Sequence, residues 1–176
     1  MRAKKIFEEE FRWIKNNKSK EDIEKSFEGK SPQEKFRGAL EYNFPWILEE
    51  SIKEGASPNY SQNYPIRYAA SNGFIEILKI LLKSKRCNPA DSKNLAIMWA
   101  ATAGQLESLK LLINDKRTDP SDDKNCALRV TLDYIEDSPQ MKQCVLILLK
   151  DKRVIEFLKN QIFTRHIIKS KLNIDI

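Results

Sequence analysis

Residues 59–89 read NYSQNYPIRYAASNGFIEILKILLKSKRCNP, and residues 90–120 read ADSKNLAIMWAATAGQLESLKLLINDKRTDP. Written one above the other, the two lines agree. Pro58, Pro89 and Pro120 lie 31 residues apart, as do Asn63, Asn94 and Asn125. Gly73 and Gly104, Ala69 and Ala100, Lys85 and Lys116, and Arg86 and Arg117 keep the same interval. A fixed period in this range marks stacked helical units. One such unit cannot bury its own apolar face, so its neighbours must cover it. The pattern predicts an all-α solenoid of stacked helix-turn-helix repeats.

Each copy has the same internal order. Asn63 or Asn94 stands where a helix N-cap belongs. A first helix follows, with Ala69 and Ala70, or Ala100 and Ala101, at its middle, small enough to admit a neighbouring helix. Gly73 or Gly104 ends it. The second helix carries an apolar stripe: Ile77, Leu78, Leu81 and Leu82, or Leu109, Leu112 and Ile113. Lys and Arg close that helix at the negative end of its dipole. Asn88-Pro89 or Asp119-Pro120 then forces a turn.

Outward from these two copies the pattern weakens. Phe36–Leu48 aligns with Ile66–Leu78 at an offset of 30, placing Phe36 on Ile66, Arg37 on Arg67, Ala39 on Ala69 and Ile47 on Ile77. This first copy starts after Ser31-Pro32-Gln33-Glu34, which combines a capping box with proline at the first helical position. Its second helix is expected from about Pro45 to Gly55. Before it, residues 3–16 carry Ile6, Phe7, Phe11, Trp13 and Ile14 at helical spacing. Ser19 and Asp22 give a further capping signal, and Ile23 and Phe27 line a short helix stopped by Gly29. In the fourth copy Thr131 replaces alanine and Ile135 replaces glycine. About five residues are inserted there, because Lys152-Arg153 follows Lys116-Arg117 by 36 residues. Val145, Leu146, Leu148 and Leu149 keep its second helix apolar. Beyond Arg153, the residues Ile155, Leu158, Ile162 and Ile167 predict one last amphipathic helix folding over the fourth copy. The expected organisation is a helical cap over 1–34, about four copies over 35–153 with the first and last degenerate, and a capping helix over 154–176.

Composition bounds the function. The chain has 176 residues, 41% of them hydrophobic, and 31 basic residues set against 25 acidic ones give a net charge of +6. Interleaved charge of this kind usually coats a solvated helical surface. The N-terminal MRAKKIFEEEF is charged, and no stretch approaches the roughly 20 apolar residues of a membrane helix. Cys87, Cys126 and Cys144 form no C-x-x-C pair, which fits a reducing compartment. An intracellular protein, cytoplasmic or nuclear, is expected. The one histidine, His166, has no partner motif for catalysis. Cys126 and Cys144 fall at helical repeat positions and read as buried thiols, whereas Cys87 lies in a turn and is open to exposure. No phosphate loop, dinucleotide fingerprint or metal spacing occurs. Tyr68 and Trp99 recur 31 apart; a stacking platform for bases is one reading, and a repeated core position between helix layers is the favoured one. The chain reads as a non-enzyme with no cofactor and no metal.

The segments YPIRYAASNG, LAIMWAATAG, EILKILL and ESLKLLI, with EGASPN after the first copy, resemble the ankyrin repeat. That pattern runs Thr-Pro-Leu-His-x-Ala-Ala, Gly two residues later, then Ile-Val-x-Leu-Leu and Gly-Ala-Asp. The resemblance covers Phe36–Arg153. The recurrent wording is similar to that of divergent ankyrin proteins of protists and their large DNA viruses, and a viral member would act in its host cell. The family's repeat is usually about 33 residues. The shorter period here speaks against a well-formed β-hairpin finger between copies. The family's His position is Arg67, Met98 and Arg129, so its loop-to-loop hydrogen bond is not expected either.

The resemblance implies a protein-protein interaction scaffold that binds a partner through the concave face built from turns and first helices. The positions matching that face are Tyr60, Ser61, Asn63, Ser71, Asn72, Asp91, Ser92, Lys93, Thr102, Asp122, Asp123, Lys124, Asp133 and Tyr134. Asp91, Asp122, Asp123 and Asp133 predict a locally acidic edge there, with a basic back set by Lys79, Lys83 and Lys110. The protein is expected to be a monomer that meets a protein partner and no membrane. Two alternatives stand beside this. Residues 141–176 hold eight basic residues against three acidic ones, a surface for nucleic acid, although a protein partner is favoured. The N-terminal helices, as an adaptor, offer a second protein-binding module.

Overall fold

The computed structural model describes residues 19–135, 138–159 and 161–173. Among the described residues there are eleven helices and no strand. The chain divides into two compact bodies, Met1–Ser57 and Pro58–Ile176. The weak first copy falls within the N-terminal body. The helix expected over 3–16 lies outside the described residues.

In the N-terminal body, α1 (Lys20–Lys25), α2 (Pro32–Tyr42) and α3 (Pro45–Lys53) follow in order. The first two helices start alike. The Ser19 hydroxyl accepts from the Asp22 amide while the Asp22 carboxylate accepts from the Ser19 amide, and Ser31 and Glu34 repeat the exchange. Ile23 and Phe27 are buried with Phe36, Leu40, Phe44, Ile47 and Leu48. Phe27 meets Phe44 edge-on at 6.3 Å. Helix α2 lies so near that a Cβ on Gly38 would stand 2.7 Å from the Phe27 ring. The Lys35 ammonium reaches the Glu54 carboxylate at 2.9 Å, joining the start of α2 to the end of α3.

The second body holds three helix pairs: α4 (Tyr60–Asn72) with α5 (Ile75–Lys83), α6 (Asp91–Thr102) with α7 (Leu106–Asn114), and α8 (Asp122–Asp133) with α9 (Pro139–Leu148). The first helices α4, α6 and α8 pack in a row, and each folds back on its own second helix. Ala69, Ala70, Ala100 and Ala101 are wholly buried in that row. Their small side chains let the helix backbones approach. Ile66, Ile97 and Leu128 from the first helices meet Ile77, Leu78, Leu81, Leu109, Leu112, Val145 and Leu148 from the second, all fully buried. Thr131, which replaces Ala100 one period later, keeps its hydroxyl satisfied on the Ala127 carbonyl at 2.7 Å.

Gly73 and Gly104 end α4 and α6 with φ of 68° and 67°. Space is tight at both as well, although the Gln105 side chain can swing away from Gly73. A Cβ at Gly73 would lie 2.5 Å from Gln105 Oε1, and one at Gly104 would lie 2.9 Å from Gln140 Cβ. Gln140 stands over Gly104 as Gln105 stands over Gly73. The insertion in the fourth copy is therefore absorbed before α9, and the stacking is preserved.

The C-terminal expectation needs correction. The tail forms two helices, α10 (Lys152–Leu158) and α11 (Ile162–Leu172), not one. Asp151 caps α10 on the Arg153 amide, and the Gln161 amide closes a turn on the Leu158 carbonyl. The break puts Ile162 out at 82% exposure, while Val154, Leu158 and Ile168 turn inward. A single 3.6-residue period cannot be read across a break between two helices. Both helices pack on α8, and the Lys171 ammonium donates to the Leu132 carbonyl at 3.0 Å.

Ala100 lies at the middle of the first-helix row with no exposed surface. Ala100→Leu should overpack it and cost about 1–3 kcal/mol. Leu112→Ala, equally buried, should open a cavity and cost about 2–5 kcal/mol. Urea unfolding of both variants, beside an exposed Lys110→Ala control expected within about 0.5 kcal/mol of the parent, checks the stacking.

Candidate functional site

The turns entering the first helices are left-handed. Ser61, Gln62 and Asn63 have φ of 50°, 55° and 55°; Ser92, Lys93 and Asn94, and Asp123, Lys124 and Asn125, repeat the conformation. Each non-glycine residue so placed costs roughly 1–2 kcal/mol. Asparagine, at the third position each time, tolerates it best. Neither Asn63 nor Asn94 is an N-cap: both are buried and no side-chain cap bond is made. The Asn63 carbonyl oxygen accepts from the Asn88 amide at 2.8 Å, and its Nδ2 donates to Asp91 Oδ2 at 2.7 Å. Asn94 repeats this on the Asp119 amide at 2.9 Å and Asp122 Oδ2 at 2.8 Å. In the fourth copy Asn125 donates to the Val154 carbonyl at 3.2 Å. The ladder ends there, where the tail takes the place of a further repeat.

This ladder absorbs much of the expected acidic edge. Asp91 and Asp122 are half-buried, and their second oxygens accept the Ser92 and Asp123 amides at 2.6 and 2.7 Å. The Asn63 amide, helped by the Ser92 amide and the Arg67 charge, holds the Asp91 carboxyl below its ordinary range. Asp123 is paired with Lys93 at 3.3 Å. On the opposite side Lys79 and Lys110 pair with Glu76 and Glu107 three residues earlier, both at 2.7 Å. That leaves the expected basic back largely neutralised.

The outward side of the first helices carries side chains at five repeating positions. Tyr64, Arg67, Tyr68, Ser71 and Asn72 on α4 correspond to Leu95, Met98, Trp99, Thr102 and Ala103 on α6, and to Cys126, Arg129, Val130, Asp133 and Tyr134 on α8. All fifteen are half-buried or exposed. Tyr68 and Trp99 are therefore not core residues between helix layers. Tyr60, Tyr64 and Tyr68 climb one side of α4 with ring centroids 6.3 and 5.6 Å apart. Trp99 meets Tyr64 edge-on at 6.4 Å across the seam to α6. The Arg67 guanidinium lies 5.6 Å from the Trp99 ring centre and donates to the Gln62 carbonyl at 2.8 Å and the Ser61 carbonyl at 3.3 Å. Arg129 makes the matching bond to the Lys124 carbonyl at 3.0 Å. At the position of the family's histidine, arginine thus binds the carbonyls of the left-handed turn.

The fourteen sequence-predicted positions divide on this geometry. Tyr60, Ser71, Asn72, Thr102, Asp133 and Tyr134 share the first-helix face, with Tyr134 63% exposed. Ser61, Lys93 and Lys124 are exposed along the turns, with Ser92 and Asp123 half-buried beside them. Asn63, Asp91 and Asp122 belong to the internal ladder. Tyr68 and Trp99, offered by the sequence as a stacking platform or, preferably, as a repeated core position, are joined here by Tyr64 and Arg67, which the sequence reading did not place on this face. A signal for Tyr64 was present in its i, i+4 spacing from Tyr68 on the first helix.

Arg117 and Arg153 form a second ladder on the same connections, taking the Cys87 and Thr118 carbonyls of the peptide units whose amides go to Asn63 and Asn94. Arg117 grips Asp115 through two nitrogens at 2.9 and 2.6 Å and donates to the Cys87 and Leu82 carbonyls of the preceding copy. Arg153 repeats this on Asp151 and on the Thr118 and Ile113 carbonyls. These arginines satisfy the helix end of the previous repeat as well as sitting beyond their own. They hold the Asp115 and Asp151 carboxyls below the ordinary range. Cys87, open to exposure on sequence grounds, is buried, and its thiol faces the Pro58 carbonyl. Burial raises both the Cys87 and Cys144 thiols to about 11. Neither supplies a thiolate near neutrality. His166 is exposed on α11.

Residues 37–124, half of the chain, match the family model for ankyrin repeats (3 copies), and the chain belongs to that family. No curated protein and no solved structure matches it. Among the described residues no helix is long and apolar enough to cross a membrane. Ankyrin repeats are in general protein-protein interaction modules and typically non-enzymatic scaffolds.

Two outcomes are expected of the ladder. Asn94→Ala strands the Asp119 amide and the Asp122 carboxylate and strains a left-handed residue, a loss of about 2–4 kcal/mol. Asn94→Gly loses the bonds without the strain and should be milder by about 1 kcal/mol. Equal losses in chemical unfolding would mean that the backbone conformation is not the constraint. Asp91, Asp115 and Asp151 have depressed folded values, so the unfolded chain takes up their protons first. Their contribution is complete above the ordinary aspartate value of about 3.9 and is lost as pH falls below it. Melting temperature should be flat from about pH 5 to 7 and decline below about pH 4.

Proposed function

We propose that this array binds a partner protein through the outward face of α4, α6 and α8, the side that corresponds to the family's concave surface. The observation that carries the reading is the half-exposed aromatic group of Tyr64, Tyr68 and Trp99, with Arg67 beside it on a face repeated in three successive helices. Tyrosine, tryptophan and arginine are the side chains that most often dominate binding energy at protein interfaces. These four are held by packing and hydrogen bonds before any partner arrives, so little side-chain entropy remains to be lost. Tyr60, Ser61, Ser71, Asn72, Ser92, Lys93, Thr102, Asp123, Lys124, Asp133 and Tyr134 form the polar rim. Asn63, Asp91 and Asp122 fix the turns beneath it. The protein acts as a scaffold without chemistry of its own, inside the cell.

A photo-crosslinking residue at Ser71 or Thr102 should capture a partner from cell extract, and the same residue at Lys110 on the second helix should not. Trp99→Ala should weaken binding of the captured protein by about 2 kcal/mol, roughly thirtyfold, in a chain that circular dichroism shows still folded. Equal capture from Lys110, or affinity indifferent to Trp99→Ala, would place the interface elsewhere.

A further inference from the structure

The second-helix ends carry charge that neither ladder uses. Arg117 sets the turn at 114–118 against the Leu82 and Cys87 carbonyls, and Arg153 sets the turn at 149–153 against those of Ile113 and Thr118. Three turns, 83–87, 114–118 and 149–153, therefore lie side by side. Lys83, Lys85, Lys116, Lys150 and Lys152 project from them, all exposed. Among the described residues none of these five has a carboxylate or hydrogen-bond partner. The nearby carboxylates, Asp115 and Asp151, are already gripped bidentately by Arg117 and Arg153. The edge thus holds five uncompensated ammonium groups on a chain whose whole net charge is +6.

We propose that this lysine edge binds the phosphate backbone of nucleic acid without reading sequence. The argument is charge complementarity together with what the edge lacks. The exposed large apolar side chains among the described residues are Tyr134, Leu146 and Ile162, and none lies in these turns. A protein interface would be expected to have apolar anchors and few lysines. Ammonium groups without aromatic neighbours suit phosphates, which need charge and no planar partner, and cannot stack on bases. Arg117 and Arg153, which could give bidentate phosphate recognition, are committed to Asp115, Asp151 and backbone carbonyls, so the lysines bind diffusely and electrostatically. The lysines stand in the turns after the second helices, whereas the aromatic group stands on the first helices.

The test is titration of a fluorescent 20-base-pair DNA duplex, and of the RNA duplex of the same sequence, with the full chain over a salt series. Five neutralised phosphates predict a slope of log affinity against log salt of about −4 to −5, a fall of roughly 500-fold between 50 and 200 mM. Replacing Lys83, Lys85, Lys116, Lys150 and Lys152 with Gln should abolish most binding and flatten the slope, with circular dichroism and melting unchanged. Lys142→Gln with Lys159→Gln, outside these turns, and Trp99→Ala should leave both duplex affinities intact. Similar affinity for DNA and RNA supports recognition of the shared phosphate backbone. No duplex binding at low salt, binding that survives the five-lysine variant, equal loss in the Lys142/Lys159 control, or preference for polyglutamate over both duplexes would overturn the proposal.

Discussion

A buried asparagine amide holds each repeat of the second body to the next. Asn63 and Asn94 each accept one backbone amide and donate to one carboxylate of the following copy, and the backbone that positions them is left-handed for three consecutive residues. Such a turn persists only when its surroundings over-determine it. The asparagine supplies two directed bonds, the arginine four residues later takes the turn's carbonyls in two of the three copies, and the apolar row of α4, α6 and α8 closes against the result. Remove the amide and the strain loses two of the directed bonds that offset it. The left-handed turn recurs with the 31-residue period.

The period, the helix order and most of the core were legible because they depend on which residue types recur. Alanine at 69 and 100, glycine at 73 and 104, and leucines on the second helices can be read as size and polarity alone. The role of Asn63 was not legible. An asparagine before a helix suits an N-cap and a left-handed turn equally, and only the neighbouring copy decides between them. The same limit hid the reach of Arg117, whose own helix end seemed a sufficient explanation. Tyr68 and Trp99 were misread as core because a conserved period does not say which side of a helix faces the next layer. The tail failed for a different reason: the apolar spacing from Ile155 to Ile162 was real, but it runs across the end of one helix and the start of the next.

Arginine and lysine recur together at 85–86, 116–117 and 152–153, yet the fold treats them differently. A guanidinium presents several donors in one plane, so Arg117 and Arg153 can each bind a carboxylate and two carbonyls at once. A lysine ammonium is a strongly hydrated point charge that gains little from those acceptors, and it remains in water. Building repeat-to-repeat joints from arginine therefore sorts the charge. Joints become internally neutral, and the lysines beside them become the surface. A composition in which 31 basic residues face 25 acidic ones looks evenly mixed along the chain. In three dimensions it separates into an aromatic face with balanced charge and an edge where cations stand alone. That separation follows from the repeat itself, because a period that stacks one joint stacks every lysine next to it.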